Sequence, residues 1–292
     1  MTEIFYLLEQ QPAIFISTIF ILGLLIGSFL NVVIHRLPTM MNTEWREQCH
    51  SYLALEQSKD TQATPYNLIT PASHCPSCET PIKPWQNIPI ISYLLLRGKC
   101  KHCGSAISIR YPLIELLSAL LSAAVAYQFG WSEQTVAALI LTWALIALSM
   151  IDIDHQLLPD QISLPVLWLG LLISLNYVFV GPEQSIAGAA AGYLFLWLVY
   201  HGFRLITGKE GMGYGDFKLL ALLGAWFGWQ QLPLIILVSS LAGAIIGVSL
   251  IVFAKHHKDK PIPFGPYLAI AGWISMMWGN LIIASYMGWL LY

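Results

Sequence analysis

Charge is scarce in this chain. Only 10% of its 292 residues are Asp, Glu, Lys or Arg, where soluble domains carry about a quarter. Hydrophobic residues make up 57%. These proportions exclude an ordinary water-soluble globule. No basic stripe with interleaved aromatics is present, which argues against a nucleic-acid partner. No Gly-x-Gly-x-x-Gly follows a strand pattern, so a Rossmann-type nucleotide fold is not expected. No internal repeat or low-complexity tract stands out. The amino terminus lacks the basic stretch and small-residue cleavage site of a signal peptide, so 14–33 reads as a retained first span. The net charge of −2 says little about partners, because the charges are segregated.

What the chain does have is long apolar runs. A span needs about 20 apolar residues, and backbone crossing a bilayer must satisfy its own hydrogen bonds, which here means helices. The runs are 13–35, 111–129, 135–151, 162–180, 185–206, 232–254 and 267–291. Residues 217–229 are apolar but marginally long, and counting them gives eight. The expected fold is an all-α polytopic membrane protein of about eight transmembrane helices, with a zinc-stabilised cytoplasmic insert between the first two. Lys and Arg set the orientation. Eight of the fourteen lie from Arg36 to Arg110, and the others are Arg204, Lys209, Lys218, Lys255, Lys258 and Lys260. With eight spans all fourteen share one side, while the opposite loops hold Glu3, Glu9, Glu133 and Glu183. Both termini are then expected outside, in the periplasm.

The division expected is a first helix over 1–35, a polar insert over 36–110 and a multi-helix domain over 111–292. Residues 42–65 lack clear periodicity and read as mobile or weakly helical. The insert holds Cys75-Pro-Ser-Cys78 and Cys100-Lys-His-Cys103, with twenty-one residues between the pairs. Two such turns suit a tetrahedral zinc site. The competing reading is two disulfides, which are rare in a reducing cytosol. A closed four-thiolate site leaves no open position for water, so the zinc is structural. His74 and His102 stand beside ligands, but four cysteines already fill the shell. Cys49 has no partner and reads as a free thiol.

Acids at the edge of hydrocarbon are costly and usually functional. Asp152, Asp154 and Asp160 close one span and open the next. Asp216 ends the glycine-rich run Gly211-Met-Gly213-Tyr-Gly215. The orientation puts Asp152 and Asp216, 64 positions apart, at one membrane face. Paired carboxylates that share a proton supply a base and an acid. Asp154 and Asp160 also suit helix capping, and Asp160, beside Pro159, is expected to be such a cap. His155 reads as an interfacial residue. Paired acids could also relay protons in an ion-coupled transporter, although such acids lie near the midplane and accompany a repeat. A noncatalytic assembly factor is the third reading.

Asp152-x-Asp154 with Leu158-Pro159-Asp160, and Gly213-Tyr-Gly215-Asp216-Phe-Lys218, resemble the type IV prepilin peptidases, intramembrane aspartic proteases of the GxGD kind. Gly27-Ser-Phe-Leu-Asn31 with His35-Arg36-Leu-Pro38, both cysteine pairs, Arg110-Tyr-Pro112 with Glu115, and Pro261–Tyr267 extend the resemblance over nearly the whole chain. It implies removal of basic leaders from type IV prepilins and type II secretion pseudopilins at the cytoplasmic face of the bacterial inner membrane. It further implies N-methylation of the new amino terminus with S-adenosylmethionine. The catalytic aspartates it implies are Asp152 and Asp216. Gly98, beside the third cysteine, is the position it links to methyl transfer. Glu79 and Arg97 could serve there, but solvation is the simpler account of both.

Overall fold

The computed structural model describes residues 9–53, 66–253 and 262–290. Lys59, the Lys255–Lys260 cluster and Pro261 lie outside the described residues. The described part is helical, with no named strand and two isolated bridges. The chain divides into two compact units, residues 1–131 and 132–292. The sequence-based division places its boundary at 110/111 instead. Residues 111–129 fall in the first unit because the helix they form pairs with the first helix.

In the first unit, α1 (Pro12–Tyr52) and α3 (Arg110–Phe129) lie against each other. Their crossing is close because glycines face backbone: a methyl group on Gly23 or Gly27 would meet the Cα of Ala119 or Glu115 at 2.7 Å. Small residues permit such approaches in apolar surroundings, where helices gain by packing rather than by leaving water. α1 has 41 residues, about 60 Å of helix, roughly twice the hydrocarbon thickness. It runs past His35 and through Pro38 to Tyr52. Residues 42–52, which lack apolar periodicity, are therefore helical, in keeping with helix formers such as Glu44, Arg46, Glu47 and Gln48. Buried Arg36 donates to the carbonyls of Asn67 (2.9 Å) and Pro71 (2.7 Å), tying the start of the described insert to α1. Buried Glu115 accepts the N–H of Ile90 at 2.8 Å, which anchors the entry to the short α2 (Ile91–Leu95).

The second unit contains α4 (Glu133–His155), α5 (Asp160–Ser174), α6 (Pro182–Thr207), α7 (Tyr214–Phe227), α8 (Leu232–Phe253) and α9 (Gly265–Leu290). α7 is its centre. Phe217, Leu219, Leu220, Leu222, Leu223 and Ala225 are fully enclosed, and α5, α6 and α9 all pack on it. A helix apolar all round belongs in an interior. Its closest partner is α6: Gly188 and Gly224 bring the two backbones into contact, and Gly192 meets the Leu220 carbonyl. Trp226 donates to the Val166 carbonyl (2.8 Å) and lies over Gly170, fastening α5. Six helices among the described residues are long and apolar enough to cross a membrane. α5 and α7, with 15 and 14 residues, extend only about 22 Å and 21 Å.

Candidate catalytic centre and metal site

Asp152 occupies the last turn of α4. That helix stops when Gln156 turns left-handed (φ 55°) and returns its N–H to the Asp152 carbonyl at 2.9 Å. Asp216 lies in the first turn of α7, after Gly213, where the positive end of the helix dipole favours an acid. Their exposures are 6% and 7%, whereas Asp154 and His155 are exposed. Burial singles out Asp152 and Asp216 from the acids in these runs.

Three backbone features frame the pair. The Gly265 N–H, at the start of α9, donates to Asp152 Oδ2 at 2.9 Å. A methyl group at Gly265 would lie 2.7 Å from that oxygen, so only glycine presents its N–H here without displacing the carboxylate. Leu158 is wedged between Gly215 and Gly265: added methyls would meet its side chain at 2.8 Å and 3.1 Å. One leucine therefore joins the segments carrying Asp216 and the donor to Asp152. The end of α4, the start of α7 and the start of α9 meet at this point.

Asp160 does not cap α5. Pro159 holds the cap position and no side chain caps that end. Asp160 instead binds Lys218 through both oxygens at 2.7 Å. Its carboxylate reaches a cation on α7, two residues beyond Asp216, in preference to its own helix's N–H groups. Gly265, Leu158 and Lys218 are participants whose roles sequence reasoning missed. Gly265 and Lys218 stand in the motifs quoted above, yet residue type alone does not disclose an aimed N–H or a partner on another helix.

The first unit carries the cysteine site. The four Sγ atoms of Cys75, Cys78, Cys100 and Cys103 lie within 4.8 Å of one another. Cys75 and Cys103 Sγ are 3.8 Å apart. Zinc–sulfur bonds of about 2.3 Å at tetrahedral angles give an edge of about 3.8 Å, so the spacing fits a four-thiolate ion. The two halves are built alike. Cys75 N–H donates to Thr80 O and Glu79 N–H to Cys75 O, as Cys100 N–H donates to Ser105 O and Gly104 N–H to Cys100 O. The bridges His74–Pro81 and Lys99–Ala106 close the two loops. Glu79 (φ 56°) and Gly104 (φ 73°) hold equivalent left-handed positions. The Ser105 hydroxyl is the main influence drawing the Cys75 thiol down to about 5, with backbone N–H groups of Ser77 and Cys78 adding to it. Ser105 likewise lowers Cys103. The lowered Cys75 and Cys103 favour the thiolate, the form that binds metal, whereas burial and the neighbouring thiols push Cys78 up. Cys49 is a free, exposed thiol.

Gly98 is a structural turn. Its φ is 67°, and a methyl group there would lie 2.9 Å from Tyr93 Oη. Its carbonyl accepts from Ile107 N–H at 2.7 Å, as Ser73 O accepts from Ile82 N–H in the other half. Arg97 is also left-handed (φ 52°). Glu79, Arg97 and Gly98 thus all hold turns of the cysteine-bearing segment.

The chain matches two family models: the bacterial peptidase A24 N-terminal domain over residues 21–129 and the type IV leader peptidase family over 139–248. The first match falls within the first compact unit and the second within the other. A curated relative from Stutzerimonas stutzeri is 55% identical over 280 residues, 96% of each chain. One from Aeromonas salmonicida is 53% identical over 293 residues, the whole of both. One from Pseudomonas aeruginosa is 55% identical over 280 residues, 96% of each. All three are named prepilin leader peptidase/N-methyltransferase. No solved structure matches. With relatives this similar over their full length, the chain belongs to the type IV leader peptidase family.

Proposed function

We propose that this membrane protein cleaves leader peptides from prepilins and pseudopilins, using Asp152 and Asp216, and then N-methylates the new amino terminus. The observation that carries the reading is the burial of two carboxylates on segments that Leu158 and Gly265 pack together. Two acids so placed favour one shared proton. The unprotonated partner takes a proton from water as its oxygen attacks the scissile carbonyl. The protonated partner donates to the departing amine, which leaves as the new amino terminus. The Gly265 N–H holds Asp152 Oδ2 in a fixed orientation at the site. The Gly211–Gly215 run presents open backbone beside Asp216, suited to pairing with an unwound substrate segment.

S-adenosylmethionine would supply an electrophilic methyl group to the freed amine. The residues available to the second activity lie in the insert over 36–110, where Gly98 holds the turn ahead of the third cysteine. Cys75, Cys78, Cys100 and Cys103 would hold a structural Zn²⁺, with no position left for chemistry. On this reading the protein domain over 111–292 is the peptidase part. The charge distribution supports eight crossings in the bacterial inner membrane, with α7 as a short crossing inside the second unit and α5 as a short crossing on its flank. Both termini are then periplasmic and the aspartates face the cytoplasm. No finding favours a transporter.

Purified protein incubated with a prepilin, with and without S-adenosylmethionine, tests both halves. Mass spectrometry of the product should show loss of the leader in either case and a gain of one methyl only with the donor. An intact substrate after prolonged incubation with active-site-competent protein would overturn the reading.

A further inference from the structure

A cavity of about 450 Å³ lies in the second unit, apart from the aspartates yet continuous with the segments that frame them. Phe195, Leu196 and Val199 of α6 form one wall, and Ser239, Ser240 and Gly243 of α8 the facing one. Met212, between two of the loop glycines and four residues before Asp216, lines it. So does Phe264, whose neighbour Gly265 holds Asp152. The two segments that position the aspartates are therefore also walls of this space.

Its chemistry is that of hydrocarbon. α6 and α8 are both candidate membrane spans, and most of the lining is aliphatic or aromatic. Ser239 is committed to the Ile236 carbonyl at 3.1 Å. On the α8 side the residues beyond Ile236 are small, and Gly243 is held near the Tyr267 ring, which an added methyl would meet at 3.3 Å. Small residues on a membrane helix admit a second helix closely. The volume suits a few apolar side chains rather than a whole helix. A segment that places such side chains here has its preceding backbone at the Gly211–Gly215 run.

We infer that this cavity receives the first apolar side chains on the carboxyl side of the scissile bond. The membrane helix of the prepilin would then lie along α6 and α8 with its cleavage site at Asp152 and Asp216. The assignment rests on the peptidase reading. The direction follows from polarity: the leader is the soluble part of the substrate, so only the retained helix can fill an apolar space at membrane depth. The cavity therefore selects substrates by the size of those side chains.

The test is a cycle of enzyme and substrate changes. Gly243→Leu fills the cavity, and Phe195→Ala enlarges it and guards against a misfolded first variant. Each is assayed with a prepilin and with the same prepilin carrying Ala at its first apolar positions after the cleavage site. The unaltered enzyme should lose roughly tenfold or more in kcat/KM on the Ala substrate, the scale for lost apolar contacts in a pocket. Gly243→Leu should be poor on both substrates and discriminate little between them. Phe195→Ala should shift preference toward bulkier side chains. Equal discrimination by all three enzymes would overturn the inference while leaving the peptidase reading intact. Unchanged cleavage by Gly243→Leu, with loss of a copurifying lipid, would assign the space to lipid instead. Absence of cleavage by the unaltered enzyme would instead defeat the reading beneath it.

Discussion

At the scale of residues, burial separates the acids proposed to act, Asp152 and Asp216, from the exposed Asp154 and Asp160. Asp152→Asn or Asp216→Asn removes one half of a proton-sharing pair, and cleavage should fall by at least about 10³-fold, measured as product per enzyme in single-turnover assays. The substituted proteins should insert and fold normally, because Asn keeps the volume. Asp154 is exposed, and Asp154→Asn should change cleavage only a few-fold by comparison; an equal loss would move the assignment to Asp154. Asp160 and Lys218 are half-exposed and paired at 2.7 Å. Breaking that pair by Lys218→Met should cost less than about 1 kcal/mol of stability. The aspartates were legible in the sequence because an acid beside an apolar run is an expensive exception. Gly265 had no such signal. Its contribution is a single N–H aimed at a side chain 113 positions earlier, and nothing in a glycine's identity announces that. For Gly98 the backbone role was not legible, since a left-handed turn and a tyrosine ring five positions back are facts of conformation.

At the scale of elements, the second unit depends on how closely α6 approaches α7. Gly188 and Gly224 let the carbonyl of each lie where the other's side chain would begin. Gly224→Val would drive these backbones apart and shift the first turn of α7, where Asp216 sits. Overpacking of this kind costs about 1–3 kcal/mol. The expected result is a lower thermal midpoint in detergent together with a loss of cleavage. Gly202→Ala on α6, where nothing lies near the added methyl, is the control that should leave both unchanged. Long spans were legible from hydropathy alone. The enclosure of α7 was not, because an apolar stretch of 14 residues reads alike as a short crossing or a buried helix. Only its neighbours decide, and they come from sequence positions as distant as Val166 and Gly272. The same holds for α1, whose polar continuation to Tyr52 has no apolar period to mark it.

At the scale of the whole molecule, composition was enough to establish a polytopic helical protein, and two cysteine pairs were enough to anticipate one cluster of four thiols. The division into units was less legible, because α1 and α3 pair across a long insert, as the Asn31 side chain donating at 3.2 Å to the Tyr111 carbonyl, 80 positions on, illustrates. That division has an experimental consequence. The cysteine site stabilises loops belonging to residues 66–107, while the aspartates are positioned by α4, α7 and α9 of the other unit. Replacing Cys75 and Cys100 together by Ser breaks both halves of the site and should abolish bound metal, read by elemental analysis after purification under reducing conditions. Loss of a structural ion unfolds the small segment it holds. Methyl transfer, assigned to that segment, should then fall to background, while cleavage of a prepilin by the same preparation stays measurable. Glu79→Gly sharpens the comparison. It places glycine at the left-handed position that Gly104 already fills in the matching half, relieving strain of about 1–2 kcal/mol at an entropic cost of about half that. It should therefore keep the metal and both activities, which no side-chain role for Glu79 in binding the methyl donor would permit. Parallel loss of cleavage and methylation in the double Ser variant would show that the second unit requires the first to work. Metal at zero in the unaltered protein would leave the four thiols to hold these loops without an ion.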